Sequence, residues 1–241
     1  MMRIILTTLV FPFLSVPAAA QDWNNLAASE AMNQMHATMR QHMIVNPGEA
    51  KGAGPSRSSP GEDAPGRIDP LYPVDDAVRR DVQRNLVAAV ARRDKAAGRE
   101  LSAAFARHDL IAMADRALSP LGLRSGNVVD AVTIYRLAMW GAAKGLTTPP
   151  PRASIAGARR QVASTFDLAG AGLHAPARRQ QFSETLLYQA VLMDIASEKA
   201  RKDNDRRTIG DIGQAAHRAL IASGIDPDAM QLTAAGFVPR R

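Results

Sequence analysis

Residues 127–145 read NVVDAVTIYRLAMWGAAKG. Asn127 is placed to cap a helix that begins at Val128, and Gly145 to close it after Lys144. Between those caps the apolar residues Val128, Val129, Val132, Ile134, Tyr135, Leu137, Met139 and Trp140 leave no wide polar face. A helix that is apolar nearly all round is buried among other helices. It is too short to span a bilayer, which takes about 20 apolar residues, and it carries Asp130 and Arg136.

A second segment of the same kind runs from Pro176 to about Lys202. It carries Phe182, Leu186, Leu187, Tyr188, Val191, Leu192 and Ile195. Pro176 suits the first turn, where its missing N–H is no loss. Around these two segments the pattern is amphipathic. Val78, Val82, Leu86 and Val90 recur every four residues from Val74, with Asp75 or Asp76 as cap and Gly98 as the expected end or bend. A further helix is expected from about Arg99 to Leu118, stopped by Ser119-Pro120-Leu121-Gly122. A weaker one over 153–168 carries Ile155, Val162 and Phe166, and a last one runs from Asp205 to Ser223. Asp226-Pro227 opens a short turn, and Leu232 to Arg241 reads as a tail. No alternating strand pattern of useful length is present. The expected fold is all-α: an irregular bundle of about six helices around two apolar central helices.

The N-terminal region differs. Met1-Met2-Arg3 is a short positive start, Ile4 to Val16 is almost wholly apolar, and Val16-Pro17-Ala18-Ala19-Ala20 is a small-residue cleavage region. This is the three-part pattern of a secretory signal peptide over residues 1–20, so a periplasmic or secreted protein is expected. Residues 21–45 read as a detached Met-rich helix capped by Asp22. Residues 46–73 read as a disordered Pro/Gly/Ser-rich linker, with Pro47, Pro55, Pro60, Pro65, Pro70 and Pro73 and little apolar material to offset ordering entropy. The helical domain is expected over 74–241. The chain has no cysteine, so neither a disulfide nor a thioether-linked lipid anchor is available. After signal removal no transmembrane segment is expected.

Charge is uneven. Gln21 to Pro73 holds four basic and six acidic residues, whereas Val74 to Arg241 holds 25 basic and 17 acidic. The basic character belongs to the helical domain. Export removes nucleic acid as the usual partner of such a domain, so a protein or an anionic envelope component is the expected one.

Several residue sets carry chemistry. Met32, Met35, His36, Met39, His42 and Met43 fall on one face of the N-terminal helix. Soft thioether and imidazole ligands suit Cu(I), although a single helix face cannot wrap a metal, and Met also fills apolar seams. No cofactor is expected, with copper as the alternative. Six arginine doublets, at 79–80, 92–93, 159–160, 178–179, 206–207 and 240–241, could bind phosphate or carboxylate. Adjacent helical residues point about 100° apart, however, so a doublet reads first as a solvated face, with Asp75 and Asp76 pairing Arg79 and Arg80. Asp130, Arg136, Glu184 and Gln189 sit on the two apolar helices and are expected to form a structural polar network tying them together. The alternative is a catalytic carboxylate with a raised pKa. His108 reads as a core histidine. No His-Glu-x-x-His or Gly-x-Ser-x-Gly motif occurs, and Asp203-Asn204-Asp205 lacks the remaining oxygen ligands of a calcium loop.

Three stretches, Asn127-Val128-Val129-Asp130-Ala131 through Tyr135 and Trp140, Ser183-Glu184-Thr185-Leu186-Leu187-Tyr188-Gln189, and Leu232-Thr233-Ala234-Ala235-Gly236-Phe237-Val238, resemble an uncharacterised family of exported proteobacterial helical proteins. The likeness covers about residues 74–238. It implies export and helices, and carries no activity or catalytic residue with it.

The functional expectation is a non-enzymatic exported protein acting as an envelope or protein-interaction module. Two alternatives come from other classes: a periplasmic copper-binding protein using the Met/His helix, and an envelope hydrolase using Glu184 or Asp130.

Overall fold

A computed structural model describes residues 68–240. The expected signal peptide, the Met-rich helix of residues 21–45 and linker residues 46–67 lie outside the described residues. The described chain is mainly α-helical, with seven helices and one small sheet. The helices are α1 (Asp76–Ala91), α2 (Lys95–Arg107), α3 (Leu110–Leu118), α4 (Val128–Ala143), α5 (Arg152–Thr165), α6 (Pro176–Lys202) and α7 (Arg206–Ala222). A 3-10 turn, Ser119–Leu121, follows α3.

The two apolar helices are central. α4 packs on α6, α7 and α5, while α6 also receives α1, α3 and α7. From Val128 to Arg136 every residue of α4 is buried. Tyr135, Tyr188, Leu186, Leu187 and Leu220 are among the fully enclosed side chains. Asn127 caps α4 by accepting from the Asp130 N–H at 3.2 Å. At its far end Leu146 N–H reaches Gly141 O and Gly145 N–H reaches Ala142 O, with Gly145 at φ +60. That pair of bonds is a Schellman closure, which favours glycine at the left-handed position.

The outer helices are cut differently from the sequence expectation. Gly98 does not end the first helix. It lies buried inside α2, where a β-carbon would come within 2.5 Å of Ala91 Cβ. The break falls at Arg92–Asp94, because Asp94 caps α2 by accepting from Ala96 and Ala97 N–H. Likewise the single helix expected over 99–118 divides at His108, and Asp109 caps α3 through Ala112 N–H. Aspartates that start new helices outweigh continuous apolar periodicity at both places. His108, half-buried at the end of α2, is therefore a junction residue rather than a core one.

The expected tail is a β-hairpin. β1 (Met230–Thr233) pairs antiparallel with β2 (Gly236–Pro239), in the register Met230 with Pro239 and Leu232 with Phe237. Gly236, at φ +98, makes the turn. The hairpin docks on α5, where a β-carbon on Gly157 would overlap the Ala234 carbonyl. The Gln161 amide closes the free edge of β2. Its Oε1 accepts from Phe237 N–H and its Nε2 donates to Phe237 O, both at 2.9 Å. Phe237 meets Trp140 edge-on at 5.3 Å, so the last strand seals the end of α4.

Candidate functional site

Residues 68–73, read from sequence as the end of the linker, belong to the domain. Tyr72 is buried, its hydroxyl donates to Ser125 O at 2.6 Å, and Leu71 pairs with Asn127. Val128 N–H donates to Pro70 O. The strap then crosses to α6, where Arg179 donates to Leu71 O at 3.1 Å and also to Leu173 O and His174 O. Gln180 grips both sides of the Asp75 backbone, at 2.8 Å each. The starts of α1, α4 and α6 thus meet around one extended segment. Asp75 caps α1 and Asp130 lies in the first turn of α4 there, where the helix dipoles favour negative charge.

The innermost group of this region is Glu184, whose side chain is 1% exposed. Arg79 donates to its Oε1 from Nε at 3.1 Å and from Nη2 at 2.9 Å, and Gln180 Nε2 adds a third contact at 3.1 Å. Arg79 Nη1 also lies 3.6 Å from Asp109, at the surface. Burial opposes the Arg79 charge, but the hydrogen bond and charge of Glu184 overcome it and hold the guanidinium above its ordinary value. One turn further along, Gln83 donates to the Tyr188 hydroxyl at 2.7 Å. Burial, with a smaller contribution from Glu184, pushes the Tyr188 phenol up to about 12. Tyr72 is raised as well, chiefly by burial. Glu184 Oε2 has no hydrogen-bond partner among the described residues.

A second carboxylate is held similarly. Asp130 accepts from Arg159 Nε at 2.5 Å and from Arg124 N–H at 3.0 Å. Its own side chain is 1% exposed, against 41% for Arg159. Arg159 lines a shallow cleft of about 220 Å³ together with Asn127, Val129, Phe166 and Asp167. Asp130 lies behind the guanidinium, outside the lining of this cleft.

All four expected polar-network residues are buried. The two acids reach outward: Asp130 from α4 to α5, and Glu184 from α6 to α1. Arg136 donates to Ser223 O at 3.1 Å, at the end of α7, and burial pushes its guanidinium down to about 10. Gln189 is enclosed on α6. The six Met and His residues of the N-terminal helix lie outside the described residues.

The arginine doublets require a correction. Arg79, Arg159 and Arg179 turn inward, while their neighbours Arg80, Arg160 and Arg178 are exposed. Asp75 and Asp76 do not pair with them as expected. Asp75 is spent on the α1 cap, accepting from Ala77 and Val78 N–H. In these three doublets the angular offset between adjacent helical residues turns one member toward the core and the other to solvent, whereas both members of the 92–93 and 206–207 doublets are exposed.

One constellation escaped the sequence reading. His217 Nε2 lies 2.9 Å from Asp228 Oδ2, and Asp226 completes a set whose ligand atoms fall within 4.8 Å of one another. Lys144 Nζ, 3.3 Å from Asp228 Oδ1, supplies positive charge at the same place. These hydrogen bonds hold the Asp228 carboxyl below its ordinary range. The only sequence signal was Asp226-Pro227-Asp228 shortly after a helical histidine, and it resembles an ordinary turn.

Comparison with protein-family models, with curated proteins and with solved structures returned no match. The functional reading therefore stands on residue chemistry and geometry.

Proposed function

We propose that this is an exported, non-enzymatic helical protein that works in the cell envelope by binding a protein or an anionic component. One observation carries the reading. The two carboxylates best placed for catalysis, Glu184 and Asp130, are each 1% exposed and each committed to a guanidinium. A general acid or base must reach a substrate within hydrogen-bonding distance, and a group enclosed in this way cannot. Among the exposed charged residues of the described chain, arginine is the most frequent type, and it suits phosphate and carboxylate recognition. The signal-like pattern of residues 1–20 and the resemblance to exported proteobacterial proteins support the envelope location.

The test is co-sedimentation of the purified chain with washed bacterial envelopes. Saturable retention in the envelope pellet is expected. A chain that remains wholly in the supernatant, and that recovers no specific protein from envelope extract, would overturn the reading. Hydrolysis of an envelope polymer that is abolished by Glu184→Gln would replace it with the enzymatic one.

A further inference from the structure

The proposed binding function leaves open which surface binds and what chemistry it meets. α1 and α6 run parallel in a fixed register. Asp75 meets Gln180, Arg79 meets Glu184 and Gln83 meets Tyr188. Each pair is 105 residues apart. Continued along both helices, that offset sets Ala91, the last residue of α1, level with Ala196. Lys202, the last residue of α6, is about 9 Å further on, at 1.5 Å per residue. The α1–α2 and α6–α7 connections therefore share one end of the bundle, opposite the end that holds Glu184 and the strap.

Charge collects at that end. Residues 92–100 and 198–207 carry nine Lys and Arg against five Asp and Glu. The rest of residues 68–240 carries fifteen against thirteen. Two-thirds of the net positive charge of the described domain thus lies in two connections and their adjoining turns. Asp94 and Asp205, two of the acids, are occupied as helix caps. Lys199, Arg201 and Lys202 have local partners in Asp203 and Glu198. Arg92, Arg93, Lys95, Arg99, Arg206 and Arg207 are exposed, and among the described residues their side chains make no salt bridge or hydrogen bond.

We infer that this end of the bundle docks on the anionic headgroups of a phospholipid bilayer, an inference that rests on the envelope-binding reading above. The arrangement favours a planar surface over a compact ligand. The cations are spread across two separate connections and do not converge on a pocket. A lipid surface, whose headgroups move to meet each charge, needs no fixed stereochemistry. None of the described helices is long and apolar enough to cross a membrane, so the contact is peripheral and electrostatic.

The test uses vesicles of phosphatidylcholine with and without phosphatidylglycerol, and the chain both with and without residues 1–20. The quadruple variant R92Q/R93Q/R206Q/R207Q is compared with R80Q/R116Q/R152Q/R178Q, which removes the same charge from exposed positions outside the two connections. Each basic residue near an anionic bilayer contributes roughly fivefold in affinity, so the first variant, which loses four, should bind several hundredfold more weakly and the second should lose far less. Binding should also fall steeply as salt approaches about 1 M, where the Debye length is about 3 Å. Circular dichroism of both variants checks that they remain helical. Equal losses in the two variants, unchanged binding in the first, or equal binding to neutral vesicles would each overturn the inference. A chain that sediments with whole envelopes but ignores phosphatidylglycerol vesicles would overturn this inference and leave envelope binding intact, pointing to a protein partner. A chain that fails to sediment with envelopes would overturn the reading beneath it.

Discussion

Arg79, one turn into α1, places Nη2 2.9 Å from Oε1 of Glu184, which is buried in α6. The pair lies 105 positions apart in the chain and joins an outer helix to a central one. Removing either partner has unequal consequences. Arg79→Ala leaves a carboxylate enclosed with only Gln180 beside it, which should cost about 3–5 kcal/mol. The double change R79M/E184L removes both charges and should be clearly less destabilising than the single one. Urea unfolding of the two variants measures the difference. Equal midpoints would show that Glu184 is not held as a buried ion.

Asp130 and Arg159 repeat the arrangement nearer the surface. Arg159 is 41% exposed, so solvent can partly replace it, and Asp130 keeps its bond from Arg124 N–H. Arg159→Ala should therefore destabilise by about 1–2 kcal/mol, less than Arg79→Ala. The order of the two unfolding midpoints in the same denaturant checks this.

All three tyrosines of the chain, Tyr72, Tyr135 and Tyr188, have phenols raised by burial from an ordinary value of 10.0. The fold favours their neutral form. Their contribution to stability is thus complete below the ordinary value and is lost as pH rises through the folded values, about 12 for Tyr188. Alkaline titration followed by tyrosinate absorbance should show almost no signal until the helical circular dichroism begins to fall. A separate tyrosinate step in the folded protein would contradict the burial described here.

Gly157 and Gly236 hold the hairpin against α5. Gly157→Ala would drive a methyl group into the Ala234 backbone, and Gly236→Ala would add a side chain at φ +98 facing Gln161. Each should cost about 1–3 kcal/mol. Both should also increase solvent exposure of Trp140, since Phe237 covers it. A red shift in tryptophan emission, compared with a Trp23→Phe background, reads this directly.

The aspartate caps are cheaper to lose but equally specific. Asp94→Ala should destabilise the domain by about 1 kcal/mol, because two N–H groups of α2 lose their acceptor. Asn at the same position should restore most of the loss. Thermal unfolding of the Ala and Asn variants separates a capping role from a charge effect.

The central helices were legible in the sequence because burial on all sides leaves a local signature. A run such as Val128 to Met139 has few other stable destinations. The same holds for the Asn127 and Gly145 caps, which depend on immediate neighbours. The outer helix boundaries were harder. At Gly98 the composition suggested an end, but the close approach of Ala91 requires a small residue in the first turn of α2. The hairpin was missed because its four-residue strands are too short for periodicity to register, and because α5 supplies the Gln161 amide that pairs its edge.

The amino-acid sequence by itself determined which segments are buried, where α1, α4 and α7 are capped, and that the domain is mainly α-helical and basic. Those properties depend on contacts within a few residues. Tertiary structure alone decided which arginine of the 79–80, 159–160 and 178–179 doublets turns inward, that Glu184 answers Arg79 and Asp130 answers Arg159, and that the cations of two distant connections share one end of the bundle. Partners so far apart in the chain are chosen by the packing angles and registers of whole helices, and no local pattern encodes those.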